Sequence, residues 1–374
     1  MRQHLSMTRR WPALWLACFT ALGSSAHAAE PAAESAAESA AERAAHPATT
    51  PPPPFAWESS EPLIRPPAGA DQLFGVKDPS IVFHDNRYHV FFTTAGAGGW
   101  GLAYTSFADW KDAPQAPIFM LDKSPIGPGY RAAPQVFYFA PQKRWYLIYQ
   151  GGDPMYSTTT NVADPRSWTA PQPFYAAVPD NVKDDKGQAG WLDFWIICDE
   201  RKCHLFFTND NGSFFRAETS IEQFPRGFST PVVAMKERRE DLFEASNTYR
   251  IEGSGQYLTL VEAMRADGRY FRAWLADRLD GEWRPIPGSD MNLFAGASNL
   301  KFKGRVWSEG VSHGEMVRAG IDQTLTIDPC KPLQFLYQGL DMVPGKKYEY
   351  IELPYRLGLI TATGRNAISD LCKR

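Results

Sequence analysis

The stretch KDPSIVFHDNRYHVFFTT, Lys77–Thr94, decides how this 374-residue chain is read. An acid, Asp78, stands near its start; an apolar run follows, then a polar turn, then a second run rich in Tyr and Phe. WLDFWIICDERKCHLFFTND (Trp191–Asp210) and FEASNTYRIEGSGQYLTLVEA (Phe243–Ala263) repeat the pattern, with Asp193 and Glu244 in the leading place. Two apolar and aromatic runs around a polar turn describe a β-hairpin, here with a carboxylate at the mouth of its first strand. Repeated about an axis, such hairpins would carry three carboxylates from distant parts of the chain to one point.

Two more segments share the shape without the acid. RAAPQVFYFAPQKRWYLIYQ (Arg131–Gln150) is a clear copy and GASNLKFKGRVWSEG (Gly296–Gly310) a fainter one. The starting points fall at Asp78, Ala133, Asp193, Glu244 and Ala297, at intervals of 55, 60, 51 and 53 residues. Periods of roughly 40–50 residues, each holding several short strands, point to propeller blades. A β-sandwich of unrelated hairpins is the alternative, but its strands should not return at so even a long interval. The expected fold is therefore all-β, a five-bladed β-propeller filling residues 55–374.

The ends of the chain read differently. Residues 1–28 carry Arg2, Arg9 and Arg10 and no acid, then the apolar Trp11–Leu22, then Ala26-His27-Ala28. This is the pattern of a secretory signal peptide, and its apolar stretch is too short to span a bilayer. A twin-arginine reading of Arg9-Arg10 and a lipid anchor on Cys18 fit the flanking residues less well. No other stretch is apolar enough to cross a membrane. Residues 29–54 are rich in Ala, Glu, Pro and Thr and low in bulky apolar groups. Such a segment cannot bury enough surface to offset its ordering entropy, and it is expected to be a linker. Export to an extracellular or periplasmic location follows, with tethering to the envelope left open.

Cysteine usage agrees with export. Of five Cys, Cys18 lies in the signal, which leaves the even set Cys198, Cys203, Cys330 and Cys372. Cys198 and Cys203 flank a tight turn in a predicted hairpin and are expected to pair; Cys330 would then join Cys372. The rival reading, a metal site, lacks the paired short Cys/His knuckles of zinc sites. The formal net charge is −3, and the first 28 residues contribute three Arg and no acids, so the remainder stands at −6. With no basic stripe, nucleic acid is excluded as a partner. A neutral or weakly charged substrate fits better. The 12 Trp could stack on sugar rings or pack between blades. A monomer is expected.

Clustered carboxylates suit glycoside hydrolysis, which needs a base and an acid on opposite sides of one bond. Longer blocks sharpen this. Gly75-Val-Lys-Asp-Pro-Ser80, Tyr130-Arg-Ala-Ala-Pro-Gln-Val136, Gly190-Trp-Leu-Asp-Phe-Trp195, Leu242-Phe-Glu-Ala-Ser-Asn247, Asn292-Leu-Phe-Ala-Gly-Ala297, Ser312-His-Gly-Glu-Met316 and Leu353-Pro-Tyr-Arg-Leu-Gly358 occur in that order. In these blocks, from about Phe55 to Ile360, the chain resembles glycoside hydrolase family 62, the α-L-arabinofuranosidases acting on arabinoxylan.

The resemblance implies a five-bladed propeller and a role for each matching residue. Asp78 would be the general base that activates water, and Glu244 the general acid that protonates the leaving xylose oxygen. Asp193 would be the third carboxylate, tuning the acid and orienting the sugar. Spacing alone does not say which of Asp193 and Glu244 is the acid. Physics favours three acids over two, because a neighbouring carboxylate keeps an acid protonated near neutral pH. Lys77 would contact the arabinose, Trp100 would stand near the pocket, and Tyr355 would line it, with Gln150 a weaker candidate. His313 would sit near a structural calcium on the propeller axis; no catalytic cofactor is expected. Read alone, Lys77 would pass for a solvated lysine, and Trp100, Tyr355 and His313 for core residues. Asp153, in Gly151-Gly-Asp-Pro154, stands where family members tend to carry a more apolar Gly-Pro-Pro-like stretch, and would add a charge near the pocket rim. The implied activity is inverting release of single arabinofuranose branches from arabinoxylan or its oligosaccharides. A family 43 glycosidase acting on xylosides or arabinans, a non-catalytic carbohydrate-binding propeller and a peptide-binding propeller are the competing readings.

Overall fold

The computed structural model describes residues 54–67, 69–70, 72–185 and 190–373. The expected signal peptide, and all of the expected linker except Pro54, lie outside them. Five mainly antiparallel sheets are arranged about a common axis, each with one strand innermost. Blade I runs outward through Leu73–His84, Arg87–Gly96, Gly99–Phe107 and Phe119–Met120. Blade II holds Ala132–Phe139, Arg144–Gly151, Asp153–Thr159 and Gln172–Pro173; blade III holds Leu192–Cys198, Lys202–Thr208, Ser213–Ser220 and Val232–Lys236. Blade IV is built from Glu244–Ile251, Gln256–Arg265 and Gly268–Ala276, with short outer strands. Neighbouring sheets stack face to face, so both sides of an inner strand are covered. That is why Leu192–Cys198 reads as an almost unbroken apolar run and is buried throughout.

Blade V corrects the fifth repeat read from the sequence. Its inner strand is Ser312–Met316, followed by Gln334–Leu340 and Tyr355–Ala362. Trp57–Ser59 then adds to Tyr355–Ala362, and Leu300–Phe302 adds in parallel to Trp57–Ser59. Gly296–Gly310 is thus the outer edge of this blade, not its opening hairpin. The period fails here because the last blade is assembled from both ends of the folded body. The join is well packed: Trp57 Nε1–H donates to the Phe294 carbonyl at 2.6 Å, and its ring meets Phe294 at 4.9 Å.

One end of the axis is sealed. Ile321 and Gln323 carbonyls accept from the amides of Tyr138 and Cys198 at the far ends of two inner strands, and Thr326–Ile327 pairs with Arg250 and Ile251. Arg318 Nη2 donates to the Ile81 and Val136 carbonyls at 2.8 and 2.7 Å, and its Nε lies 2.8 Å from the buried Glu315. The opposite end stays open. Among the described residues, no helix is long and apolar enough to cross a membrane.

The structure pairs Cys198 with Cys203 and Cys330 with Cys372, as the sequence suggested. The first pair closes a hairpin turn; the second spans 42 residues and ties down the C-terminal segment. Loop-closure entropy then ranks them. Replacing Cys330 and Cys372 by Ser is expected to cost about 4 kcal/mol, and replacing Cys198 and Cys203 about 2 kcal/mol. Urea unfolding of the two double variants checks the order.

Candidate active site

Every inner strand breaks its ladder at the same level. The register slips between Lys77 and Ser80, Ala132 and Gln135, Leu192 and Trp195, Glu244 and Asn247, and Ser312 and Gly314. Each slip is a β-bulge, which re-aims side chains and frees a backbone N–H. Four of the five bulged residues have left-handed backbone: Asp78 (φ 46°), Ala133 (49°), Asp193 (57°) and Ala245 (53°). None is glycine, and non-glycine residues in this conformation cluster at functional sites.

The freed N–H groups find acceptors on the preceding blade. Asp78 N–H donates to Gln338 Oε1 at 2.8 Å, Ala133 N–H to Thr93 Oγ1 at 2.8 Å, Asp193 N–H to Gln150 Oε1 at 3.0 Å, and His313 N–H to Glu262 Oε2 at 2.7 Å. Each acceptor is the cross-strand partner of the last paired residue before its own blade's bulge. Blade III breaks the rule. Its residue at that position is Thr208, yet Ala245 N–H donates to Asp193 Oδ2 at 2.8 Å, and Thr208 Oγ1 has no partner among the described residues.

This register refines the repeat. Asp78 and Asp193 occupy the bulge, but Glu244 stands one residue earlier, in the place held by Lys77 in blade I and Leu192 in blade III; Ala245 takes the bulge. Side chains alternate along a strand, so Glu244 approaches the axis from a different direction than the two aspartates. From bulge to bulge, Asp193 to Ala245, the interval is therefore 52 residues and not 51.

The side chains converge on a cavity of about 230 Å³, lined by Lys77, Asp78, Trp100, Tyr130, Gln150, Asp193, Glu244, His313, Gln338 and Tyr350, with the Ala132 and Leu192 positions between them. That volume lies below the ~300–1,000 Å³ of pockets that hold drug-sized ligands, and suits one sugar ring. His313 Nδ1 lies 3.3 Å from Asp78 Oδ1 and 3.9 Å from Asp193 Oδ1, bridging the two bulge carboxylates. The Lys77 ammonium sits over three rings: Trp100 at 4.7 Å, Tyr355 at 4.9 Å and Tyr350 at 5.5 Å. Tyr355, expected on the pocket wall, opens its blade V strand and packs against Lys77 without lining the cavity; Tyr350, in the short turn before that strand, also flanks Lys77 and does line it. Gln150 caps the Asp193 amide and donates to the Tyr130 hydroxyl. Asp153 pairs with Gly151 across a hairpin turn and is not among the cavity-lining residues.

Electrostatics separates the carboxylates. Burial, then the nearby Asp78, raises Asp193 above the ordinary range, opposed by the Ala245 N–H bond. Burial, then Glu262 and Asp193, raises Glu244 above its ordinary 4.5, opposed by Arg269 and Lys77. The Glu244 side chain keeps 27 % exposure, toward the cavity, so a proton it holds can reach a ligand. Burial, the largest single influence, favours neutral Lys77, but Asp78 together with Tyr350, Tyr355 and Glu244 outweighs it and keeps the ammonium charged. As for calcium near His313, the ion takes 6–8 oxygen ligands. Among the described residues no three His, Cys, Asp or Glu side chains gather to hold a metal, and the His313 Nδ1 already faces Asp78. No step below runs through a metal.

Glu262, Arg269, Tyr130, Tyr350 and Gln338 escaped the sequence reading. Glu262 alone carried a signal: an acid inside the apolar strand Leu258-Thr-Leu-Val-Glu262-Ala needs a partner.

A five-bladed propeller whose bulges and inner strands bring three carboxylates to a sugar-sized cavity defines a glycosidase of the acid–base class. The Glycosyl hydrolase family 62 profile matches residues 56–361, and the chain belongs to that family. It is 40 % identical over 311 residues to α-L-arabinofuranosidase C of Cellvibrio japonicus (strain Ueda107), covering 82 % of this chain and 47 % of that protein, so it spans about half the length of that relative. The catalytic domain of a family 62 α-L-arabinofuranosidase from Coprinopsis cinerea superposes with a TM-score of 0.80 at 48 % identity, covering 83 % of this chain and 98 % of that one. A family 62 hydrolase solved with xylotriose gives 0.79 at 44 %, covering 82 % and 97 %.

Two outcomes test this site. Thr93→Val would orphan the Ala133 amide and is expected to cost about 1–3 kcal/mol, whereas Thr208→Val, which caps no bulge amide, should cost clearly less; thermal melts compare them. Asp193→Asn keeps an oxygen for the Ala245 N–H but removes a charge that holds Glu244 protonated. Glu244 should then ionise at lower pH, and the alkaline limb of the pH–rate profile should move down.

Proposed function

We propose that this protein is an inverting α-L-arabinofuranosidase that releases single arabinofuranose side chains from arabinoxylan or arabinoxylo-oligosaccharides. One observation carries the reading: Asp78 and Glu244 reach the same small cavity from non-adjacent blades, and of the two carboxyls with a raised affinity for a proton Glu244 is the more open, at 27 % against 9 % for Asp193. The similarity to family 62 enzymes, one solved with xylotriose, supports the substrate class.

In this reading the arabinose ring fills the closed end of the cavity and the xylan chain lies outside it. Asp78 accepts a proton from water as that water attacks the anomeric carbon. Glu244 gives its proton to the glycosidic oxygen, and the xylose hydroxyl leaves. Inversion needs roughly 6.5–9.5 Å between the carboxyls to admit the water; placement on blades I and IV, with blade V between them, favours such a gap. Lys77, held charged in its aromatic cage beside Asp78, is placed to donate to a sugar hydroxyl. His313 orients Asp78 from the other side. Asp193 holds the blade IV bulge through the Ala245 amide and disfavours ionisation of Glu244. We further propose that residues 1–28 direct export, that residues 29–54 act as a linker, and that the enzyme works as a monomer. The two disulfides support an oxidising compartment.

Incubation with arabinoxylan should release arabinose as the only sugar. Proton NMR of early product should show the β-furanose first; an initial α product would overturn the single-displacement mechanism. Glu244→Gln is expected to lower kcat on arabinoxylan by roughly 10²–10⁴-fold, with partial recovery on aryl arabinosides, whose leaving groups need little protonation. Asp78→Asn should lose as much and recover on neither substrate.

A further inference from the structure

A buried carboxylate and a guanidinium beside Glu244 have no task in this mechanism. Glu262 stands on the second strand of blade IV, directly across the ladder from Glu244, and is fully buried. Ser312 Oγ reaches its two oxygens at 3.1 and 3.0 Å, the His313 N–H donates to Oε2 at 2.7 Å, and Arg269 Nη1 donates to Oε1 at 2.9 Å. The same Nη1 also donates to Glu244 Oε1 at 3.1 Å.

Arg269 is not a roaming surface side chain. Its guanidinium lies 4.3 Å from the centre of the Phe243 ring. Its carbonyl accepts from Val311 N–H at 3.1 Å. The opposing residue is Gly310, where a Cβ would come within 2.5 Å of that carbonyl oxygen and 3.0 Å of the Arg269 nitrogen. Blade V therefore presses on the arginine's backbone while Phe243 and Glu262 fix its head.

We infer that Arg269 and Glu262 are a positioning pair for the general acid, holding Glu244 by Oε1 so that its transferable proton sits on Oε2. Arginine has N–H donors and no acceptor, so an oxygen it binds is a poor place for a proton. The free oxygen is then the one that protonates and delivers. The pair also pulls in two directions: the cation favours ionised Glu244, and the buried anion behind it favours protonated Glu244. The other groups facing Glu244 are Asp193 from blade III and Lys77 from blade I, with the Tyr350 and Tyr355 rings around that lysine. His313 of blade V lies against the two aspartates. The inference rests on Glu244 being the acid.

The test uses the full protein with Arg269→Met, Arg269→Lys and Glu262→Gln. Two readouts are taken: the pH–rate profile on arabinoxylan, and the titration of the Glu244 carboxyl by ¹³C NMR without substrate, assigned by its absence in Glu244→Gln. Arg269→Met should move both the alkaline limb and the titration to higher pH, by about one pH unit or more, and lower kcat by roughly 10²-fold through misplacement. Arg269→Lys should return both close to their original pH but recover only part of kcat, since lysine lacks the planar fork. Glu262→Gln should move both to lower pH. Shifts in the same direction for Arg269→Met and Glu262→Gln, or a Glu244 titration that stays put in Arg269→Met, would overturn the inference. If Glu262→Gln loses its cooperative melt, the two arginine variants decide alone: up for Met and restored for Lys sustains the pair, anything else sinks it. If the titrations move as stated while the activity limb does not follow, the positioning pair stands and the assignment of Glu244 as the acid fails.

Discussion

Five times around the ring, an inner strand abandons its ladder and leaves a backbone N–H in the interior. Left unpaired, each would cost about 1–3 kcal/mol, so each blade depends on an acceptor carried by its neighbour. Gln338, Thr93, Gln150 and Glu262 are those acceptors, and each crosses a blade boundary. The bulges turn Asp78, Asp193 and His313 inward; the caps hold the bulges. At the fourth boundary the cap is Asp193 itself. One aspartate thus completes the hydrogen-bonding ring and charges the cavity, which binds the geometry of the site to the closure of the fold.

Four carboxylates, Asp78, Asp193, Glu244 and Glu262, face two permanent cations, Lys77 and Arg269, in and beneath this cavity. Buried charges persist when paired and hydrogen-bonded. Glu262 meets that condition with Arg269, Ser312 and the His313 amide. Asp78 has Lys77 and His313 beside it. Asp193 and Glu244 are left in excess, and a proton retained there relieves the imbalance. The proton needed for bond cleavage is in this sense a product of charge crowding in a confined space.

Much of this was legible in the chain. Alternating apolar runs after Asp78, Ala133 and Asp193 announced hairpins at a steady period, and blades I to IV follow them closely. The fifth blade was not legible, because Trp57–Ser59 and Ser312–Met316 belong to one sheet yet lie at opposite ends of the folded body, and no local pattern links them. The three acids stood out, but their equivalence was one residue too generous: only the pairing of Glu244 with Glu262 separates it from the bulge position. Arg269 gave no signal, since an arginine opening a strand usually faces water; its task follows from Phe243 and Gly310, which only folding brings near. Tyr350 sits in a short turn and Tyr355 opens the strand after it; both rings flank Lys77, and sequence cannot say which of them also reaches the cavity.

The way blade V is completed governs how the chain must reach its native state. Trp57–Ser59 is made early in synthesis, yet its two flanking strands, Leu300–Phe302 and Tyr355–Ala362, come some 240 and 300 residues later. Until then blades I to IV can form only an arc whose first and last sheets each leave a face uncovered, and exposed apolar faces recruit other chains. Long-range pairing of this kind is also slow. The ring is consequently an all-at-once object: a fragment ending before Tyr355 lacks the strand that joins its own first strand to the rest of blade V, and its hazard is not an incomplete pocket but aggregation.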